Sequence, residues 1–174
     1  MALQSMHPFN KELYHKCNTP SFEVLCQNFK LLYPVLRPED YGIDVSVYIS
    51  DKAFHSGSEP IAKIELEVKG HWTEYNFPFN DIQCLAKKQK HARQPVCTYW
   101  VLFNRNLTNC GIVPFSKILV SELSVIKCRN KYDDFFYKVL KSDFVWGLEH
   151  IERYIIFKAF ESANQSYKNL FNNH

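Results

Sequence analysis

Glu67-Val68-Lys69 is the only place in the chain where a lysine stands two positions after an acidic residue. These residues end an alternating segment, residues 61–69, that predicts a β-strand. Asp44 lies upstream in a second alternating segment, residues 42–49. Carboxylates on neighbouring strands can bind a divalent cation, because Mg²⁺ and Mn²⁺ prefer oxygen ligands. A lysine beside them can orient water or stabilise charge on a phosphate. The pattern therefore predicts phosphodiester hydrolysis.

The expected pairing of these two strands brings the acids together. If they form an antiparallel hairpin with Asp44 opposite Glu67, the connection falls within residues 51–60, which contain turn-forming residues. Opposed Cβ atoms in such a pair lie about 4.5–5.5 Å apart. Lys69 lies on the same face as Glu67, because side chains alternate with a period of two. Glu65 shares that face and is a candidate additional acid.

Hydrophobic patterns elsewhere predict a mixed α/β fold, with a small mixed sheet and helices on its faces. One helix is expected to begin at Thr19-Pro20, with threonine as the cap and proline in the first turn. The other predicted elements are helices over residues 81–92, 132–140 and 146–171, and strands over residues 96–103 and 110–115.

The composition indicates a globular chain, most simply a single domain of 174 residues, with 46% apolar and 16% aromatic residues. The six cysteines include no C-x-x-C pair, and the sequence shows no secretory signal pattern. We therefore expect free thiols and a cytoplasmic location. No apolar segment approaches the roughly 20 residues that cross a bilayer, so we expect no membrane partner.

Positive charge is concentrated in residues 87–93, although the formal net charge of the chain is only +3. This segment carries four permanent positive charges and no acid. Its cations either contact phosphates, with salt-dependent affinity, or form a solvated helix face, and the sequence leaves both readings open. The candidate nucleic-acid-binding residues in this segment are Lys87, Lys88, Lys90 and Arg93.

Aromatic residues suggest two further interactions. His71, Trp72 and Tyr75 directly follow the acid-lysine motif and can either stack on unpaired bases or pack within a loop. The C-terminal segment carries an aromatic stripe that is either core or a contact with a partner subunit or a second copy of the chain. The stripe consists of Tyr154, Phe157, Phe160, Tyr167, Leu170 and Phe171.

The motif and its expected strands resemble the PD-(D/E)XK nuclease superfamily. That family has an α-β-β-β-α-β core, with an aspartate on the second strand and (D/E)-x-K on the third. The resemblance covers about residues 20–115 and leaves residues 116–174 as a helical C-terminal extension. It implies that Asp44, Glu67 and the backbone carbonyl of Val68 bind Mg²⁺ or Mn²⁺, and that Lys69 positions the attacking water.

The same resemblance implies further site residues. Some family members add a glutamate from the first helix, for which Glu23 is the best candidate and Glu12 the next. Basic or amide residues from the helix after the third strand often contribute, and Gln83, Lys87 and Lys88 stand there.

We therefore expect a divalent-metal-dependent nuclease acting on DNA, with RNA as the less favoured substrate. The main alternative is a catalytically silent domain of the same fold that binds nucleic acid or a protein partner. A third possibility is an accessory subunit with no nucleic-acid role.

Overall fold

The computed structural model describes residues 11–37, 43–127 and 133–172. Its α-helices are α1 (Lys11–Asn28), α2 (Asp51–His55), α3 (Phe115–Ile118) and α4 (Leu148–Asn172), and its 3₁₀ helices span Ala86–Arg93 and Lys141–Asp143. Its strands are β1 (Tyr33–Leu36), β2 (Val45–Tyr48), β3 (Ala62–Lys69), β4 (Asp81–Leu85), β5 (Thr98–Asn104), β6 (Cys110–Pro114), β7 (Glu122–Lys127), β8 (Asp133–Leu140) and β9 (Val145–Trp146). The predicted mixed α/β class is confirmed.

The larger sheet has the strand order β1-β2-β3-β5-β6-β9. Its first three strands form an antiparallel meander, and β5 then pairs with β3 in parallel. All seven residues of β5 are buried, which fits its aromatic and branched sequence, because a central strand is covered on both faces. The smaller sheet is antiparallel and has the order β4-β8-β7.

Two hydrophobic cores form on opposite faces of the larger sheet, because successive side chains of each strand point to opposite sides. On β5, Val101 belongs to the core that includes residues of α1 and α4. Its neighbours Trp100 and Leu102 belong to the other core, together with residues of the smaller sheet. The larger sheet is thus covered by helices on one side and by the smaller sheet on the other.

The strands predicted at residues 61–69, 96–103 and 110–115 are confirmed as β3, β5 and β6 with small differences at their ends. The strand predicted over residues 42–49 is confirmed as β2, although residue 42 lies outside the described residues. The long C-terminal helix is confirmed as α4.

Two predicted helices are wrong. Residues 81–92 form β4 and a 3₁₀ helix, because Ile82 and Cys84 alternate with the exposed Gln83 and the strand pairs with β8. The described part of residues 132–140 is the strand β8, whose aromatic and β-branched residues suit a sheet. Residue 132 itself lies outside the described residues. The C-terminal extension is therefore not purely helical.

The start of the first helix and the connection between β2 and β3 also differ from expectation. The helix α1 already includes Lys11, and Pro20 lies inside it rather than in its first turn. The connection over residues 51–60 contains the short helix α2, which Ser50 caps by accepting a hydrogen bond from the backbone N–H of Ala53.

Candidate functional site

Two acids and two lysines meet on the sheet face that looks toward the smaller sheet, and a third acid, Asp44, lies close enough for its charge to raise the pKa of Glu65. We call this group the acid–lysine cluster. It consists of Asp44, just before β2, Glu65, Glu67 and Lys69 on β3, and Lys88 on the 3₁₀ helix.

The register between β2 and β3 differs from the predicted register by two residues. Val45 pairs with Ile64, and Asp44, which precedes β2, donates its backbone N–H to the carbonyl of Ile64. The prediction that Asp44 directly opposes Glu67 is therefore wrong. The charge of Asp44 adds to burial in raising the pKa of Glu65, so these two acids lie close together.

The Asp44 carboxylate is 6% exposed and is held by two neighbouring elements. Its Oδ2 accepts a hydrogen bond from the backbone N–H of Leu66 at 2.6 Å. Its Oδ1 accepts one from the side-chain amide of Asn18 at 2.8 Å. Asn18 of α1 therefore contacts Asp44. The predicted Glu23 is exposed. Burial raises the pKa of Cys26, and the charge of Glu23 raises it further. The side chain of Glu12 lies outside the described residues.

Glu67 is the centre of the hydrogen-bonding network. Its Oε1 lies 2.5 Å from Nζ of Lys69, and its Oε2 lies 2.9 Å from Nζ of Lys88. The indole N–H of Trp100 also donates to Oε2 at 3.1 Å. Trp100 lies beneath both lysines, whose Nζ atoms are 5.3 and 5.7 Å from its ring centroid. Glu67 is thus fixed by three donors from three different elements.

Lys88 bridges the two glutamates of β3. Its Nζ lies 2.9 Å from Oε1 of Glu65 and 2.9 Å from Oε2 of Glu67. Its side chain is only 14% exposed. Burial alone would lower the pKa of Lys88, but the two carboxylates raise it above the ordinary value. Lys88 therefore carries a positive charge between the acids, rather than lying on a surface open to phosphates.

The two glutamates have opposite pKa shifts. Burial raises the pKa of Glu65 to about 7, against the lowering effect of Lys88, and the charges of Asp44 and Glu67 raise it further. Burial alone would also raise the pKa of Glu67, but Lys88 and Lys69 lower it to about 2. Near neutral pH, Glu67 is ionised and Glu65 is close to its titration midpoint.

The donor chemistry of the cluster fits a hard dication, because all three acids offer carboxylate oxygens. Lys88 already places one positive charge between Glu65 and Glu67. Among residues 11–37, 43–127 and 133–172, no three His, Cys, Asp or Glu side chains form a group arranged to hold a metal ion. A dication at this position therefore requires the ammonium group of Lys88 to move.

The other predicted binding residues lie outside the cluster. Val68 lies on β3, and its side chain packs against the core on the helical side of the sheet. Gln83 is exposed on β4. The exposed members of the basic segment are Lys87, Lys90 and Arg93.

The aromatic residues that follow the motif have different environments. Trp72 is fully buried and packs edge-on against Phe77 and Trp146, so of its two expected roles the structure supports packing. His71 and Tyr75 are exposed. In the C-terminal stripe, Phe157 and Phe160 are exposed and Tyr154 is half-buried, while the side chains of Tyr167, Leu170 and Phe171 lie outside the described residues.

Sequence reasoning missed the roles of Asn18, Trp100 and His91. Trp100 carried a usable signal, because it is on the strand next to Glu67 in the larger sheet. His91 is buried, and its Nε2 lies 4.0 Å from Oε2 of Glu65. Burial lowers the pKa of His91 to about 4, so its ring is neutral near pH 7. Asn18 carried no signal, because α1 is distant from the motif in sequence.

The described cysteine side chains are free thiols at Cys26, Cys84, Cys97 and Cys110. Cys128 and the side chain of Cys17 lie outside the described residues. Within the described part of the chain, no helix is long and apolar enough to cross a membrane.

No family model, no curated protein and no solved structure matches this chain.

Proposed function

We propose that the chain is a divalent-metal-dependent nuclease that hydrolyses phosphodiester bonds of DNA, with RNA as the second candidate substrate. The observation that carries this proposal is the acid–lysine cluster, in which Glu67 and Lys69 form an ion pair on the same face of β3 as Glu65, with Asp44 nearby. A cluster of buried charges on a sheet is costly unless it is paired, and such clusters are typical of functional sites.

The proposed roles follow the resemblance to the PD-(D/E)XK superfamily. Asp44 and Glu67 would hold Mg²⁺ or Mn²⁺ together with the backbone carbonyl of Val68, and Glu65 would support them as an additional acid. The metal supplies Lewis acidity and lowers the pKa of a bound water. Lys69 orients that water or stabilises charge on the phosphate. Trp100 keeps Glu67 in place through its indole N–H.

The order of the elements supports the same proposal. The helix α1, the meander β1-β2-β3, a crossover and the parallel strand β5 follow one another along the chain. This order resembles the α-β-β-β-α-β core of the PD-(D/E)XK superfamily. The crossover departs from that core, since it consists of β4 and a 3₁₀ helix instead of an α-helix.

Cleavage of labelled DNA tests the proposal. Single-stranded, double-stranded and branched substrates are incubated with Mg²⁺ or Mn²⁺ and the wild type, Glu67→Ala or Lys69→Ala. We expect each substitution to reduce cleavage about a hundredfold or more, because each removes a charge that acts on the transition state. Circular dichroism is expected to show that both variants remain folded.

Lys63→Ala is the matched control, since Lys63 lies on the same strand but contacts Gln94 rather than the acids. Its cleavage rate is expected to equal that of the wild type. Full cleavage by both Glu67→Ala and Lys69→Ala would refute the nuclease assignment.

A second candidate function is a catalytically silent domain that binds nucleic acid or a protein partner. The position of Lys88 favours it, because an ammonium group already neutralises the two glutamates without a metal. Titration with Mn²⁺ separates the two candidates. Binding that is lost in Asp44→Ala supports the nuclease, and absence of Mn²⁺ binding supports the silent domain. Failure to bind any oligonucleotide at low salt would instead favour an accessory subunit.

The proposal also covers location and partners. The free thiols support a reducing compartment, and we place the protein in the cytoplasm on that basis. The exposed Phe157 and Phe160 of α4 support contact with a second copy of the chain or with a partner subunit.

A further inference from the structure

A cavity of about 500 Å³ opens beside Lys69, between the end of β3, the start of β4 and strand β8. We propose that it binds one unpaired nucleobase of a DNA strand, so that the substrates of the chain are single-stranded or branched DNA. This inference rests on the proposed function and names the substrate class of the same site. The residues that line the cavity include Lys69, His71, Phe77, Phe79, Asn80 and Gln83.

The apolar wall of the cavity is a series of aromatic contacts that runs from the core to the surface. Phe77 is buried and stacks on Trp146, with ring centroids 5.6 Å apart. Phe79 packs edge-on against Phe77 at 5.6 Å and also contacts the ring of His71 at 5.8 Å. Phe79 is nevertheless 51% exposed. An anchored aromatic ring with an open face is the platform on which an unpaired base stacks.

The polar wall can recognise the edge of a base. Asn80 and Gln83 each carry a side-chain amide, which offers both donors and an acceptor. Gln83 is exposed on β4 and therefore accessible to a ligand. The lining also includes the cation of Lys69 and the carboxylate of Asp81. Aromatic faces, side-chain amides and one charge of each sign suit a nucleobase better than an isolated anion.

The segment that carries these residues is fixed before any ligand binds. The backbone N–H of Lys141 donates to the carbonyl of Asn80 at 2.8 Å. Nζ of the same lysine donates to the carbonyl of Phe77 at 2.5 Å. Nearby, Lys138 pairs with Asp81 at 3.7 Å. A pocket held in this way loses little conformational entropy when a ligand enters.

The location of Lys69 connects the cavity to the cluster. The same lysine lines the cavity and pairs with Glu67, so a base in the cavity places its own phosphate near the acids. Bases within a duplex are already stacked and paired, and extruding one costs a few kcal/mol. A cavity that accepts a base beside the cleavage site therefore favours strands whose bases are unpaired.

Fluorescence anisotropy with the full chain tests the inference. The probes are a labelled single-stranded DNA 12-mer and the same sequence as a perfect duplex, both in EDTA so that no cleavage occurs. We expect the wild type to bind the single strand more tightly. Phe79→Ala is expected to weaken single-strand binding about tenfold and to change duplex binding less than about twofold, because only the stacking platform is lost.

Two further variants make this result specific. Phe79→Tyr keeps the ring and is expected to bind like the wild type. Ile49→Ala removes a similarly exposed apolar side chain just after β2, at 64% exposure, and is expected to bind both probes like the wild type. Equal losses of Phe79→Ala on both probes, or no loss on the single strand, would overturn the inference. Tighter binding of the matching RNA strand would overturn its assignment to DNA.

The two proposals fail separately. Cleavage that depends on Lys69, with no effect of Phe79→Ala on binding, would overturn the base pocket and leave the nuclease in place. Binding that prefers single strands and depends on Phe79, without metal-dependent cleavage by the wild type, would support the pocket and refute the nuclease.

Discussion

Two buried carboxylate sites in this molecule are neutralised in different ways. Glu152 of α4 is 8% exposed, and its Oε1 accepts the backbone N–H groups of Lys30, Leu31 and Leu32 at 2.9, 2.7 and 2.8 Å. Glu65 and Glu67 of the acid–lysine cluster are instead compensated mainly by the side chains of lysines. Both arrangements satisfy buried charge, which would otherwise be very unfavourable.

The groups that compensate these carboxylates differ in whether they can move away from them. Backbone amides at the end of α1 are fixed by the fold, so Glu152 has one arrangement and joins α1 to α4. A lysine side chain rotates about four side-chain bonds and can withdraw its ammonium group. The proposed function therefore requires the cluster to exchange Lys88 for another cation, which the fixed amides of the Glu152 site do not permit.

Removing the Glu152 carboxylate is expected to have the largest effect on stability. Glu152→Ala leaves one buried and two partly buried N–H groups without an acceptor, so we expect the free energy of unfolding to fall by about 3 kcal/mol. Urea denaturation measures this change. Glu152→Gln retains an acceptor oxygen and is expected to lose less. Cleavage per folded molecule is expected to be unchanged in both variants, and a specific loss of cleavage would show that the two sites are not distinct.

Removing the movable cation of the cluster is expected to have an intermediate effect. Lys88→Met leaves Glu65 and Glu67 with less compensating charge, so we expect a loss of about 2 kcal/mol without metal. Mn²⁺ is expected to raise the melting temperature of this variant more than that of the wild type, because the ion no longer competes with Lys88. Thermal denaturation with and without Mn²⁺ measures the difference.

Lys87→Met is the matched control for that experiment, since the neighbouring Lys87 is exposed on the same 3₁₀ helix. It is expected to show the stability and the Mn²⁺ response of the wild type. An equal Mn²⁺ response in Lys88→Met and the wild type would mean that Lys88 does not occupy the cation position.

Glu65 is expected to act through the pH dependence of stability, and its effect per pH unit is the smallest of the three. Its pKa is about 7 in the fold and has an ordinary value of 4.5, so between these values the folded state binds the extra proton. The Glu65 contribution to stability therefore decreases as pH rises from 4.5 to 7, by about 1 kcal/mol per pH unit. Glu67, with a pKa of about 2, stays ionised over this range.

His91 changes stability in the opposite direction. Its pKa is about 4 in the fold against an ordinary 6.5, so the unfolded chain binds more protons and stability rises with pH between these values. The test is therefore the difference between the wild type and Glu65→Gln, measured by urea denaturation from pH 4.5 to 7.5. We expect Glu65→Gln to gain stability relative to the wild type as pH rises. Parallel profiles would contradict the raised pKa of Glu65.

Local hydrophobic patterns were sufficient to predict some of the strands and helices. The alternation in residues 61–69 predicted β3, and the same period placed Glu65, Glu67 and Lys69 on one face. The helical period in the C-terminal segment predicted α4. These predictions held because each element buries a face that its own sequence defines.

Pairing between segments far apart in the sequence determined the remaining strands and the contacts of the cluster. Residues 81–85 and 136–140 pair with each other across more than fifty residues of sequence, and this pairing makes both segments strands. The register that pairs Val45 with Ile64 depends on packing between two strands rather than on either sequence. The sequence by itself thus determined which charges share a face. Only the tertiary structure decided which of them touch, because Lys88 reaches the acids from an element that local propensity does not predict.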